Sequence, residues 1–137
     1  MKTKEQITTK LKKYFKKQRE VIVVYLFGSY ATGKQNDKSD LDIAVQFEYG
    51  IECEKRIDLC LKYYVDLVYE FEIDIVDLNS ADLPLLKEIF EEGVVLVEND
   101  RDKRVKFKAV KLSQSLDLQY YEYLMSQGLM RRARNLI

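Results

Sequence analysis

The sequence predicts an α/β or α+β domain in which a mixed β-sheet is flanked by helices and a further helix ends the chain. Short β-branched runs alternate with longer amphipathic segments, and turn-forming residues separate them. The composition is 47% hydrophobic and 34% charged, a balance typical of globular proteins, and 137 residues suit one domain. Because strand and helix patterns alternate, most of the sheet surface should be covered.

The elements follow in order from the spacing of apolar residues. Ile7, Leu11 and Phe15 recur at four-residue intervals, which predicts an amphipathic helix. The run VIVVYLF is apolar throughout, as in a strand covered on both faces. The predicted elements are a helix over Lys4–Arg19, a strand over Val21–Phe27, a loop over Gly28–Ser39, a strand over Leu41–Phe47, a helix over Glu52–Val68, a strand over Glu72–Leu78, a helix over Asp82–Glu92, a strand over Val94–Glu98 and a helix over about Asp100–Met125.

Apolar stripes predict which helix faces pack. The stripe that should pack on the sheet in the second long helix consists of Ile57, Leu61, Tyr64, Val65 and Val68. The corresponding side of the last helix consists of Val105, Ala109, Leu112 and Leu116. Gly93 can end its helix in the left-handed conformation, and Gly128 is expected to break the last helix before a basic tail.

We expect a single domain over residues 1–137, with a core over about 4–98 and a C-terminal helical segment over about 100–137. Lys and Arg number 23, as do Asp and Glu, so bulk charge predicts no general affinity for nucleic acid. The basic residues concentrate in Lys2–Arg19 and at Arg131, Arg132 and Arg134. They form either solvated helix faces or a docking surface for an acidic partner.

Several site classes are excluded by what the chain lacks. It contains no histidine, which excludes a histidine-bound zinc site and a Ser-His-Asp triad. Cys53 and Cys60 would lie roughly 10.5 Å apart along a helix, too far for a disulfide, and are expected to be reduced core residues. The N-terminus does not resemble a signal peptide, and no apolar run reaches about 18 residues. We therefore expect a cytoplasmic protein that does not contact membranes.

The stretch LFGSYATGKQNDKSDLDIAV invites comparison with a P-loop. Gly28, Gly33 and Lys34 match the Walker A spacing after a strand. However, Gln35 occupies the position of the magnesium-binding hydroxyl, and QNDKSD is turn-forming where a helix should follow. The P-loop interpretation is therefore disfavoured.

A second interpretation explains both ends of the same stretch. Asp40 and Asp42 are two residues apart, so in a strand they project from one face. Adjacent carboxylates repel unless a cation lies between them, and oxygen-only ligands suit magnesium. Gly28 allows the backbone to approach a phosphate, and the Ser29 hydroxyl can donate to it. A phosphate cradle and a metal pair indicate metal-assisted phosphoryl transfer.

Gly28-Ser29, ten intervening residues and Asp40-x-Asp42 resemble the signature of the nucleotidyltransferase superfamily that includes DNA polymerase β. The short length, the strand EIDIVDL and the following SADLPLLKEIFEEGVVL resemble the minimal nucleotidyltransferase (MNT) family in particular, over about residues 21–97. The resemblance implies a nucleotidyltransferase fold. One departure is Thr32, where MNT proteins often carry Arg.

The resemblance also implies a third carboxylate on the strand EIDIVDL. The candidates are Glu72, Asp74 and Asp77. The family pattern favours Asp74, whereas Asp77 has the opposite parity and would face the other side of the sheet. By this resemblance Asp40 and Asp42 bind two Mg²⁺ ions and Asp74 binds the catalytic one.

The implied activity is transfer of AMP from ATP, with Gly28 and Ser29 holding the nucleotide. Stand-alone MNT proteins are typically antitoxins of HEPN-domain ribonuclease toxins, which implies a tyrosine acceptor on the toxin, a hetero-oligomer and no direct nucleic-acid contact. Two alternatives stay open: neutralisation of the partner by binding alone, and transfer to a small-molecule hydroxyl. Tyr120, Tyr121 and Tyr123 are expected to serve core and interface packing.

Overall fold

A computed structural model describes residues 4–33 and 40–136 and arranges them in three layers, with a sheet between two layers of helices. The elements are α1 (Lys4–Lys16), β1 (Val21–Phe27), α2 (Ser29–Thr32), β2 (Leu41–Phe47), α3 (Cys53–Leu67), β3 (Ile73–Asp77), a 3₁₀ turn (Leu78–Ser80), α4 (Leu83–Glu92), β4 (Val94–Glu98) and α5 (Arg101–Asn135). The predicted fold class, a mixed sheet flanked by helices with a C-terminal helix, is confirmed.

The sheet has the strand order β3-β2-β1-β4. β1 is antiparallel to both β2 and β4, whereas β2 and β3 are parallel. In β1 every residue is buried except Phe27, which is half-buried. The continuous apolar run therefore predicted a central, doubly covered strand correctly.

Helices cover each face of the sheet with a separate core. On one face Ile7, Leu11 and Phe15 of α1 are buried, as predicted, together with Tyr63 and Leu67 of α3. On the other face lie α4 and α5, whose packed residues include Leu86, Ile89 and Phe90 of α4 and Phe107 and Leu112 of α5. The two faces of the sheet thus have different neighbours, which decides where the functional side chains project.

The predicted packing stripe of α3 is wrong. Ile57, Leu61, Tyr64 and Val65 are exposed, and the helix packs instead through Tyr63 and Leu67. The Tyr63 ring stacks on Phe47 and its hydroxyl donates to Glu20, so this side of the helix is anchored to the sheet. An apolar stripe of α3 is consequently left in solvent.

The predicted packing side of α5 is wrong at three of its four residues, and only Leu112 packs as expected. Val105, Ala109 and Leu116 are exposed. The helix packs through a face made of Arg104, Phe107, Lys108, Lys111, Leu112 and Ser115. Two lysines belong to this face. The Lys108 ammonium lies 5.8 Å from the Phe90 ring centroid, and the Lys111 ammonium lies 5.6 Å from the Phe107 ring centroid.

α5 continues to Asn135, so the expected break at Gly128 does not occur. Every described residue after Ser115 is exposed, including Tyr120, Tyr121 and Tyr123. Their expected role in core packing is therefore wrong. The helix extends roughly 30 Å beyond its last buried residue, with large apolar side chains around it.

The conformation of Gly93 and the burial of the two cysteines differ in part from what the sequence predicts. Gly93 has an extended φ of −74° rather than a left-handed one, and an added Cβ there would overlap the Ile89 carbonyl oxygen. Both cysteines are free. Cys60 is half-buried and packs against the core, whereas Cys53 is exposed, so the expected core placement is wrong for Cys53. Within residues 4–33 and 40–136, no helix is both long and apolar enough to cross a membrane.

Candidate active site

Gly28 joins the end of β1 to the one-turn helix α2. Its backbone has φ 70° and ψ −150°, a conformation that L side chains rarely adopt. An added Cβ would overlap Asp42 Oδ2 and lie 3.1 Å from the carboxyl carbon. Only glycine therefore allows the Asp42 carboxylate to lie directly against the turn.

Ser29 begins the tight turn that follows. The Ala31 amide donates to the Gly28 carbonyl at 3.2 Å, and the turn ends at Gly33, which is left-handed with φ 75°. The half-buried Ser29 is thereby held beside Gly28, at the same end of β1. This is the arrangement expected of a phosphate cradle. Lys34 and Gln35, on which the P-loop interpretation depends, lie outside the described residues.

Asp42 and Asp74 are paired across two neighbouring strands. Each is the second residue of its strand, and the parallel register places Asp42 directly opposite Asp74. Side chains at matched positions of adjacent strands project from the same face of a sheet. Both carboxylates therefore project from the face that α4 and α5 cover. The antiparallel pairing of Phe27 with Asp42 brings the Gly28 turn to the same point.

Asp40 immediately precedes β2 and is exposed. Its charge reaches the pair, because burial, then Asp74, then Asp40 and Glu88 raise the pKa of the Asp42 carboxyl above its usual value. Glu88 on α4 is a contributor that sequence reasoning missed. Its sequence context is an ordinary helix surface, which carries no signal of proximity to the sheet end.

The donor set at this point fits a hard divalent cation. It consists of carboxylate oxygens. Burial and then the charges of Asp74, Asp40 and Glu88 raise the pKa of Asp42, so a cation at this point would relieve the repulsion between the carboxylates. Within residues 4–33 and 40–136, however, no three acidic or cysteine side chains lie close enough together to hold a metal ion. The structure brings Asp42 and Asp74 into register but does not close a three-carboxylate cluster with Asp40.

Asp77 occupies a different environment from Asp74. Its carboxylate accepts hydrogen bonds from Arg56 Nε at 2.8 Å, from Ser80 Oγ at 2.7 Å and from the Asn79 amide at 3.1 Å. Arg56 belongs to α3, so Asp77 projects from the opposite face of the sheet. Three partners satisfy Asp77 and fix the turn after β3, which is a structural role.

Comparisons with known proteins identify the family that the sequence matches and the solved structures that share its fold. The family described as Polymerase beta, Nucleotidyltransferase matches residues 9–102. The protein adenylyltransferase MntA of Shewanella oneidensis is 33% identical over 95 residues, which cover 69% of this chain and 67% of that protein.

Solved structures with similar folds include chains from two toxin–antitoxin complexes. One complex contains AMP-PNP; its matching chain is 27% identical, with a TM-score of 0.62, over 93% of this chain and 96% of the other. The second is the tri-AMPylated Shewanella oneidensis HEPN toxin in complex with MNT antitoxin. Its matching chain is 25% identical, with a TM-score of 0.64, over 93% of this chain and 99% of the other.

Proposed function

Because the chain belongs to the Polymerase beta nucleotidyltransferase family, we propose that it is the antitoxin of a toxin–antitoxin pair and transfers AMP from ATP to a tyrosine of its HEPN-domain partner. The observation that carries the proposal is the Asp42–Asp74 pair in register beside the Gly28 turn. The relatives support the acceptor class, since one is named a protein adenylyltransferase and another structure holds an AMPylated HEPN toxin.

The Gly28 turn and Ser29 hold the phosphates of ATP in this proposal. Gly28 has no side chain to hinder the approach of a phosphate, and the Ser29 hydroxyl donates to a phosphate oxygen. The residues that would hold Mg²⁺ are Asp40, Asp42 and Asp74. Two bound Mg²⁺ ions would supply Lewis-acid activation of the acceptor hydroxyl and charge neutralisation on the phosphates.

The transfer itself balances as a single displacement. The acceptor tyrosine oxygen bonds to the α-phosphorus, the bond from that phosphorus to the bridging oxygen breaks, and pyrophosphate leaves. The tyrosine proton goes to a carboxylate oxygen of Asp74, which is the outer member of the carboxylate pair because β3 is outside β2 in the sheet order. Asp74 therefore faces the side from which an acceptor can approach.

The exposed outer half of α5 supports a macromolecular partner. The exposed apolar residues after Ser115 include Leu116, Leu118, Tyr120, Tyr121, Tyr123, Leu124, Met125, Leu129 and Met130. An apolar surface of this extent marks an interaction site, and its adjoining Arg131, Arg132 and Arg134 favour a partner with acidic groups. The same surface would serve an antitoxin that acts by binding alone, which keeps that function as the second candidate.

The test is incubation of the chain with ATP, Mg²⁺ and the HEPN-domain protein encoded beside it. We expect the partner's mass to rise by about 329 Da per transfer, which is the mass of AMP minus that of one water, or equally the mass of ATP minus that of pyrophosphate. Peptide mapping should place the addition on tyrosine. A partner of unchanged mass, with ATP shown to bind the chain, would reject the enzymatic proposal in favour of binding alone.

A further inference from the structure

β3 lies at an open edge of the sheet. Among residues 4–33 and 40–136 it pairs with β2 alone, since it is the terminal strand in the sheet order. The Glu72 carbonyl accepts the Leu41 amide at 2.8 Å, so even-numbered residues direct their backbone groups toward β2. Successive residues of a strand alternate in this respect, which turns the backbone groups of Ile73 and Ile75 toward the open edge.

A groove runs between this edge and α3. It measures about 300 Å³, and the residues that line it include Ile57, Leu61 and Tyr64 of α3 and Ile73, Asp74 and Ile75 of β3. Leu61 is 58% exposed and Ile57 51%, although their spacing is that of a packing stripe. Large apolar side chains that are exposed to solvent beside the open edge of a strand are typical of a site that another chain completes.

The groove and the candidate active site share the edge strand β3 but lie on opposite faces of the sheet. Asp74 lines the groove and is also the register partner of Asp42. Because side chains alternate along β3, Ile73 and Ile75 project toward α3 while Asp74 projects toward the carboxylate face. At Ile73–Ile75 the edge strand therefore has the groove on one face of the sheet and the carboxylates on the other.

From these observations we infer that the protein acceptor binds as an extended segment that adds a strand to β3. The inference rests on the proposed function and specifies its acceptor site. In an added strand, alternate side chains fill the α3 groove, and the residue between them projects toward Asp42 and Asp74. The acceptor sequence is therefore an apolar residue, the hydroxyl-bearing residue and a second apolar residue, held in extended conformation.

A second copy of this chain is a poorer occupant of the same edge. Pairing of two β3 strands would bring Glu72 and Asp74 of one copy close to the same carboxylates of the other. Like charges on paired strands destabilise the pairing. A separate acceptor segment has no such conflict, and its backbone satisfies the edge groups of Ile73 and Ile75.

The first test places a charge in the groove. Leu61→Lys should lower kcat/KM for AMP transfer to the HEPN partner by roughly tenfold or more, because an apolar acceptor side chain then meets an ammonium group. ATP binding should not change. The matched control is Val110→Lys on α5, which is 54% exposed and lies away from the groove, and it should transfer normally. Unchanged transfer by Leu61→Lys, or equal losses in both variants, overturns the inference.

The second test reads the backbone directly by amide hydrogen exchange with and without the partner. We expect the amides of Ile73 and Ile75 to exchange more slowly in the complex. Protection confined to α5 overturns the inference, as does protection of β3 by self-association without the partner. If the wild-type protein transfers no AMP but β3 is protected, the proposed function is rejected and the docking site is kept. If AMP is transferred but β3 is not protected, the docking site is rejected and the proposed function is kept.

Discussion

Gly28 is the residue on which the geometry of the candidate site depends most directly. An added methyl would overlap Asp42 Oδ2, and its φ of 70° is unfavourable for alanine. Gly28→Ala should therefore destabilise the protein by about 1–3 kcal/mol and displace the carboxylate needed for transfer. Thermal unfolding and AMP transfer measure the two effects.

The matched control for this change is Gly128→Ala. Gly128 lies inside α5, and nothing approaches within 4 Å of an added Cβ. Alanine should raise helix stability there by roughly 0.5–1 kcal/mol and leave ATP binding unchanged. If Gly28→Ala behaves like this control, the close contact between the turn and Asp42 has no functional consequence.

Asp42 should also give a recognisable pH dependence of stability. Burial and then the charge of Asp74 raise the pKa of its carboxyl in the folded protein above the usual 3.8. A raised pKa means that the native state favours the protonated form, so this contribution to stability is present below pH 3.8 and is lost as pH rises through the folded pKa. Without divalent cations, Asp42→Asn should therefore be more stable than wild type at pH 7.

Denaturant unfolding measured from pH 3 to 7 checks this sign. The advantage of Asp42→Asn should vanish at the acid end and should shrink when Mg²⁺ is added to wild type. Asp117→Asn, an exposed change on α5, should stay within about 0.5 kcal/mol of wild type at every pH. A destabilised Asp42→Asn at neutral pH would contradict the repulsion between the paired carboxylates.

The strand β3 carries a proposed catalytic carboxylate on one face and a structural carboxylate on the other. Asp74 faces Asp42, whereas Asp77 is held by Arg56 in a pair that is about 15% exposed. Asp77→Asn should cost about 1–3 kcal/mol because Arg56 loses a charged partner, yet the folded protein should retain transfer. Asp74→Asn should abolish transfer with little loss of stability. The reverse pattern would move the third carboxylate to Asp77.

The outer half of α5 should be dispensable for the fold and needed for the partner. No described residue after Ser115 is buried. The free energy of unfolding of a chain ending at Ser115 should therefore lie within about 1 kcal/mol of that of the full chain. Calorimetry should show binding to the HEPN partner weakened by at least about tenfold, since the apolar surface is gone. Undiminished binding would place the docking surface elsewhere.

For the whole molecule, the sequence predicted the sheet and the carboxylate register far better than the helix faces. Strand parity set Asp77 apart from Asp74, whereas the choice of Asp74 itself came from the resemblance to the MNT family. The packing faces of α3 and α5 could not be predicted, because α3 carries two apolar stripes and the packed face of α5 includes two lysines whose ammonium groups lie over aromatic rings. Which stripe of α3 is buried depends on where the sheet ends, and the position of that edge follows from the tertiary fold and not from the spacing of residues along the helix.

The roles of Gly93 and Glu88 likewise depend on tertiary contacts that the local sequence does not reveal. A glycine after a helix predicts a left-handed cap, but Gly93 is required instead because its backbone lies against the Ile89 carbonyl. Glu88 contributes to the field at Asp42 only because α4 crosses that end of the sheet. Neither arrangement is encoded in local spacing, whereas the Gly28-Ser29 turn and Asp40-x-Asp42 are contiguous enough to be predicted.

In the proposed function, the protein inactivates its partner by AMP transfer at the Asp42–Asp74 pair and not by binding alone. The most direct measurement co-expresses the HEPN partner with wild-type protein or with Asp42→Asn, and records both the partner's mass and growth of the cells. Wild type should give an AMPylated partner and normal growth. Asp42→Asn should bind the partner but leave its mass unchanged and fail to restore growth, because an amide cannot replace the carboxylate opposite Asp74. Full growth with an unmodified partner would contradict the account and assign the protein to antitoxins that act by binding alone.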